Sequence, residues 1–228
     1  AEVAEQIIVS KSFDYGTACV SEQAVVVDKE IARELRNELK LKGAYFCTPA
    51  ESDRLAKVIF LGKQRMNPDR VGQSPEVLAG LAQFSIPPKT RILISEEAEI
   101  GWHRPLSAEK LNPVLAFYVA NDENHALELA NNIAKFEGWG HSSVVHSDDP
   151  KIVAKFASIP TGRVLVNTPA ILGGMGYSTD LEPSFMLGTG TWSGSITSDN
   201  VTALHLINIK RVAYESRPWR DIYEEYGE

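Results

Sequence analysis

The stretch from Pro113 to Ser147, PVLAFYVANDENHALELANNIAKFEGWGHSSVVHS, decides the fold class. It opens with an apolar, β-branched and aromatic run, PVLAFYVA, of the length of a buried strand. Ala126, Leu129, Ile133 and Phe136 then recur on or near one helical face. SSVVHS closes it as a second strand. Outward from this unit the alternation continues. TRILIS (90–95) and QAVVVDK (23–29) read as strands, DDPKIVAKFAS (148–158) as a helix and GRVLVN (162–167) as a strand. Strands separated by helices predict βαβ crossovers and a mainly parallel, open α/β sheet with flanking helices.

Further helices are predicted around Val3, Ile7 and Ile8, and over KEIARELRNELKLKG (29–43), with Ile31, Leu35 and Leu39 inward and Gly43 as its cap. AESDRLAKVIFLG (50–62) and SPEVLAGLAQF (74–84) complete the set. After Asn167 the texture changes: residues 168–200 are rich in Gly, Ser and Thr with little periodicity, a long loop of the functional kind. VTALHLINIKRVAYE (201–215) reads as helix or strand running into a strand, before a charged, aromatic tail.

The totals exclude several classes. At 228 residues and a net charge of −7, with basic residues scattered, the chain is not expected to bind nucleic acid. It lacks an apolar run of membrane-spanning length and a signal peptide, so no membrane association is expected. Two cysteines, Cys19 and Cys47, do not make a disulfide scaffold, and a reducing cytosol is the simpler setting. The five histidines lack metal-binding spacing, so no metal site is expected. The first methionine is Met66, and Ala1 already reads as helical, so an internal fragment or a cut at a domain boundary is expected.

Among residues able to do chemistry, Cys19 in FDYGTACVSEQ stands in a turn-like stretch before a strand, beside Thr17 and Ser21. By composition alone a free cysteine is more often an inert core residue; its loop position argues the other way. Cys47, with its apolar lead-in, reads as core. LGTGTWSG (187–194) has the spacing GxGxxxG, one residue too long for a dinucleotide fingerprint and without a clean strand before it. His141 follows a glycine at a helix-to-strand junction. Glu109 reads by itself as an exposed acid.

Five ordered blocks change these weights. SKSFDYGTACVSEQAVVV (10–27), VGQSPEVLAGLAQFSIPPKTRILISEE (71–97), LSAEKLNPVLAFY (106–118), GHSSVVHS (140–147) and PSFMLGTGTWSGSITSDNVTALHLINIK (183–210) together resemble the aldehyde dehydrogenase superfamily, most closely its CoA-acylating branch. That branch includes the aldehyde half of bifunctional aldehyde–alcohol dehydrogenases. The resemblance implies Cys19 as the catalytic thiol, His141 near the active site and Glu109, in an E-x-x-x-P-V element, approaching the nicotinamide ribose. It implies NAD or NADP as cofactor, coenzyme A as cosubstrate, a small aldehyde as substrate and a homo-oligomer.

The implied layout is a catalytic domain over 1–195 and a C-terminal strand or arm over 196–228, with the cofactor-binding domain upstream. The implied location is the cytoplasm or a bacterial microcompartment. Tyr15, where the branch often has Asn, Thr189, where it often has Cys, and Ser193, where it often has Gly, depart from the pattern. Gly16-Thr17-Ala18-Cys19 differs from the GQxC of the hydrolytic branch, which is the competing enzyme reading. A non-catalytic α/β assembly module is the alternative of another class. His141, with the ordinary histidine pKa of about 6.5, is expected to deprotonate or position the CoA thiol.

Overall fold

The computed structural model describes residues 1–62 and 64–227. Helix α1 (Glu2–Ser12) leads through a short 3-10 turn (Phe13–Gly16) to strand β1 (Ala24–Asp28). Asp28 caps α2 (Lys29–Leu41) by accepting the Glu30 N–H at 2.8 Å. After β2 (Ala44–Phe46), a reciprocal Thr48–Glu51 capping box opens α3 (Pro49–Ile59). The small antiparallel pair β3 (Phe60–Leu61) and β4 (Arg65–Met66) follows. Next come α4 (Pro75–Leu81), whose Ser74 cap accepts the Val77 N–H, then β5 (Ile92–Glu96) and β6 (Val114–Ala120). The second half holds α5 (Glu123–Glu137), β7 (Gly140–Val145), α6 (Pro150–Phe156), β8 (Thr161–Val166), α7 (Ala170–Gly174) and α8 (Trp219–Tyr226).

Four strands form one parallel sheet in the order β1-β6-β5-β2. β6 lies inside it, and Val114 through Tyr118 are buried on both faces, which explains their unbroken apolar run. On one face Ile7 and Ile8 of α1 and Leu39 of α2 pack on Ile92, Leu115 and Phe117. On the other, Leu55 and Ile59 of α3 and Leu78 of α4 pack on Leu93 and Val114. β7 and β8 make a separate parallel pair joined by α6. A third cluster ties Val20 to Leu165, Ile171 and Met175, so that the residues after Cys19 rest on β8 and α7.

Four expectations need correcting. Ile31 is 55% exposed; Ala32 takes its place in the buried stripe of α2, because the sheet lies on the Ala32–Leu35–Leu39 side. Strand β2 was not anticipated, since three residues are too few to show alternation. Between β5 and β6 no α-helix intervenes, only the 3-10 turn Pro105–Ser107. The second strand expected within 201–215 does not form: a 3-10 turn (Ala203–Leu206) leads into exposed chain, because a strand needs a neighbour and none lies there among the described residues. Among the described residues no helix is long and apolar enough to cross a membrane.

Candidate active site

The turn that carries Cys19 is conformationally costly. Asp14 (φ 45), Tyr15 (φ 50) and Gly16 (φ 72) are three successive left-handed residues. Asp14 is held by Thr17, whose hydroxyl donates to its carboxylate at 2.6 Å. Gly16 is required twice over: a Cβ there would also lie 2.6 Å from the carbonyl oxygen of Asn112. This close approach presses the cysteine turn onto the segment that holds Glu109. Tyrosine has no means of easing a left-handed backbone, whereas asparagine tolerates it. Tyr15→Asn is therefore expected to raise stability by about 0.5–1 kcal/mol, read as a higher denaturant midpoint at unchanged slope; a lower midpoint would contradict it.

Cys19 is exposed at the end of this turn and unpaired. The surrounding protein pushes its thiol pKa up, and the negative charge of Glu109 pushes it the same way. The backbone N–H groups of Cys19 and Val20, with Arg163, pull it back. Its thiolate fraction at neutral pH is thus small and grows as pH rises. Alkylation of Cys19 is expected to keep accelerating beyond pH ~8.5, the ordinary thiol midpoint. Cys47, 7% exposed with its pKa pushed up to about 12, should stay unlabelled. Peptide mass spectrometry over a pH series checks both, and a Cys19 midpoint below the ordinary one would overturn the expectation.

Glu109 is half-buried, not the exposed acid its local sequence indicated. Burial raises its pKa first and Glu137 adds to this, while Lys11 and Lys110 oppose. Both lysines are fully buried. Lys110 Nζ donates to the carbonyl oxygens of Leu106 (2.8 Å), Ala108 (2.7 Å) and Gln23 (3.1 Å), which staples the Glu109 loop to β1. Lys11 Nζ reaches Gln23 Oε1 at 3.4 Å, and burial lowers its pKa to about 7. The chemistry of Glu109 fits a ribose, because a carboxylate accepts from two hydroxyls at once.

His141 is the second residue of β7 and is half-buried, with Nδ1 3.1 Å from Ser142 Oγ. Burial, then the charge of Arg163, lowers its pKa to about 4. This corrects the expectation of an ordinary imidazole: His141 is neutral at pH 7 and a much weaker base than an exposed histidine. Arg163 of β8 is 6% exposed and ties the site together. Its Nη2 donates to the carbonyls of Gly188 (2.9 Å) and Ser198 (2.8 Å), and its Nη1 to Ser142 Oγ (3.2 Å). Within the glycine-rich segment Gly188 N–H donates to Asp199 O (2.9 Å) and Gly190 N–H to Thr197 O (2.8 Å). Those amides are engaged by the loop itself, which agrees with rejecting it as a phosphate cradle. Among the described residues no cluster of metal-binding side chains forms.

No family model matches the chain. Aldehyde-alcohol dehydrogenase 2 of Entamoeba histolytica is 38% identical over 222 residues, covering 93% of this chain and 26% of that protein. Sulfoacetaldehyde dehydrogenase (acylating) of Bilophila wadsworthia is 32% identical across 100% of the chain and 52% of its own length. The crystal structure of an acetylating aldehyde dehydrogenase from Geobacillus thermoglucosidasius superposes with a TM-score of 0.91 at 41% identity, over 95% of this chain and 48% of that one. The homologues of this chain are aldehyde-alcohol and acylating aldehyde dehydrogenases. The chain spans about a quarter to a half of the length of these relatives.

Against the acylating aldehyde dehydrogenases, the structure sorts the residues singled out by sequence. Cys19 and Glu109 lie within electrostatic reach of each other, and Arg163 acts on both Cys19 and His141. Arg163, Lys11, Lys110 and Gln23 were missed. Arg163 and Lys11 have no acidic neighbour in sequence, and Lys110 beside Glu109 reads as an exposed charge pair, so burial of these cations has no local signature. Only the alternation of β8 hinted that Arg163 faces inward.

Proposed function

We propose that the chain is the catalytic-domain part of an NAD(P)-dependent, CoA-acylating aldehyde dehydrogenase, with Cys19 as its nucleophile. The observation that carries this is the exposed Cys19 thiol on a strained turn, pressed onto the Glu109 loop and facing Arg163. The Cys19 thiolate adds to the aldehyde carbon, and the carbonyl oxygen becomes an oxyanion, for which the Cys19 backbone N–H is a candidate donor. A bound oxidised nicotinamide supplies the acceptor for the hydride that leaves the thiohemiacetal carbon. A thioester on Cys19 remains. The thiolate of CoA then attacks that carbon, the bond to Cys19 breaks, and Cys19 is released as thiolate with acyl-CoA as product.

Glu109 orients the cofactor through its ribose. Glu109→Gln should raise the apparent KM for the cofactor with a smaller effect on kcat; an unchanged KM would remove Glu109 from that role. The exposed apolar side chains of the arm, among them Leu206, Val212 and Tyr214, support its use in assembling further copies of the chain.

The function is tested on the full-length enzyme by following reduced-cofactor formation with and without CoA. Acyl-CoA formation that depends on both aldehyde and CoA is expected. Free carboxylate formed without CoA would show the hydrolytic reaction instead.

A further inference from the structure

Three segments meet at the side chain of Gln23, a short way along the chain from Cys19. Its Oε1 accepts the backbone N–H of Lys110 at 3.1 Å and Lys11 Nζ at 3.4 Å. Its Nε2 donates to the carbonyl oxygen of Ser21 at 3.3 Å. The amide can face only one way, because a backbone N–H needs the oxygen and a carbonyl needs the N–H. Lys11 lies in the last turn of α1, just before the strained turn; Ser21 belongs to the Cys19 segment, and Lys110 directly follows Glu109. Lys110 closes the joint from the other side. Its Nζ donates to the carbonyls of Gln23, Leu106 and Ala108, three acceptors for the three protons of an ammonium.

We propose that Gln23 is a positioning residue that fixes the Glu109 loop against the Cys19 segment, and so sets where Glu109 holds the cofactor ribose relative to the sulfur. Gln23 acts through Glu109, by way of the adjacent Lys110 amide. The cofactor part rests on the role of Glu109 proposed above; the hold on the loop stands apart from it.

The loop needs such a hold. Leu111, two residues beyond Glu109, sits at φ 44, a left-handed backbone that leucine keeps only where its surroundings impose it. Beyond Glu109 the chain is pinned: Gly72 N–H donates to the Leu111 carbonyl at 3.0 Å, and Gly16 lies against the Asn112 carbonyl. At Glu109 itself the restraint comes from Gln23 and from the carbonyl cage of Lys110. The charges of Lys11 and Lys110 both favour the Glu109 carboxylate, which adds to the same hold. Without the Gln23 oxygen the buried Lys110 N–H loses its acceptor, and the loop recovers one only by moving. Cys19 holds the carbon that gives up hydride, and Glu109 orients the acceptor. The spacing of their two segments therefore bears directly on cofactor placement.

Two measurements on the full-length enzyme test this, hydrogen exchange without cofactor and steady-state kinetics with it. Gln23→Leu removes the acceptor. Gln23→Glu keeps one for Lys110 and Lys11 and gives up only the bond to Ser21. Amide exchange in the peptide over 106–112 should quicken about fivefold or more in Gln23→Leu and stay within about twofold of the parent in Gln23→Glu. An unchanged peptide overturns the proposal, and so does equal quickening of a peptide from α2, which would mean general loosening. The apparent KM for the cofactor should rise about fivefold or more in Gln23→Leu, with kcat and the KM for aldehyde little changed, and return in Gln23→Glu. Added to Glu109→Gln, Gln23→Leu should raise it little further, because both changes act on one contact. The same fold rise in both backgrounds overturns the proposal. If Gln23→Leu does not fold, Gln23→Ala, which removes the acceptor without adding bulk, carries the same expectations. Exchange needs neither cofactor nor turnover. An unchanged KM in Glu109→Gln would thus sink the role of Glu109, while exchange still decides the hold of Gln23 on its loop.

Discussion

Cys19→Ala is expected to reduce aldehyde oxidation by about four orders of magnitude or more while leaving the fold intact. The two halves of this expectation have separate physical grounds. Without the sulfur no covalent adduct forms at the aldehyde carbon, and hydride would have to leave a free aldehyde or its hydrate. Cys19→Ser should be nearly as inactive, because a hydroxyl at neutral pH is a far poorer nucleophile than even a small fraction of thiolate. The fold is spared because Cys19 is exposed and belongs to none of the three apolar clusters. Its stability should change by less than about 0.5 kcal/mol. Paired measurements of thermal unfolding and of reduced-cofactor formation settle it. Activity in Cys19→Ala above about one per cent of the parent would mean that another group carries the chemistry.

Gly16→Ala should be the most damaging single methyl group near the site. The substitution places an L side chain at φ 72 and drives its Cβ to within 2.6 Å of Asn112 O and 2.7 Å of the same carbonyl carbon. The left-handed backbone costs about 1–2 kcal/mol. Forcing a methyl into packed backbone costs about 1–3 kcal/mol more, since neither partner is a flexible side chain. Together these predict a loss of about 2–5 kcal/mol and a fall in Tm on the order of 10 °C.

Relief of the clash moves Asn112, three residues from Glu109, so cofactor binding and Cys19 reactivity should worsen together. Gly194→Ala is the control. That glycine also has positive φ, 80, but a Cβ there meets nothing within 4 Å, so only the backbone term of about 1–2 kcal/mol applies. Equal losses at the two positions would show that the approach to Asn112 is unimportant.

The architecture was readable because its signals are local. The apolar runs of β5 and β6 are long enough to mark buried parallel strands, and Asp28, Thr48, Ser74, Asp122 and Asp149 each cap a helix near where the pattern changes. What failed lacks a local signal: β2 is three residues long, and the β5–β6 crossover turns without a helix. Residues 207–218 have strand-like composition with no strand beside them.

The site divides the same way. Cys19, Glu109 and His141 sit in recognisable motifs, and their order along the chain pointed to the acylating aldehyde dehydrogenases. Their working state was not legible. The imidazole is pulled down to about 4 by burial and by an arginine from the adjacent strand, and that arginine reaches Gly188 and Ser198, 25 and 35 residues away. Amino-acid sequence by itself determined which groups are available and which segments form strands and helices, because periodicity and capping act over a few residues. Tertiary structure alone decided their protonation and mutual restraint, because burial and charge act through space between residues that the chain keeps far apart.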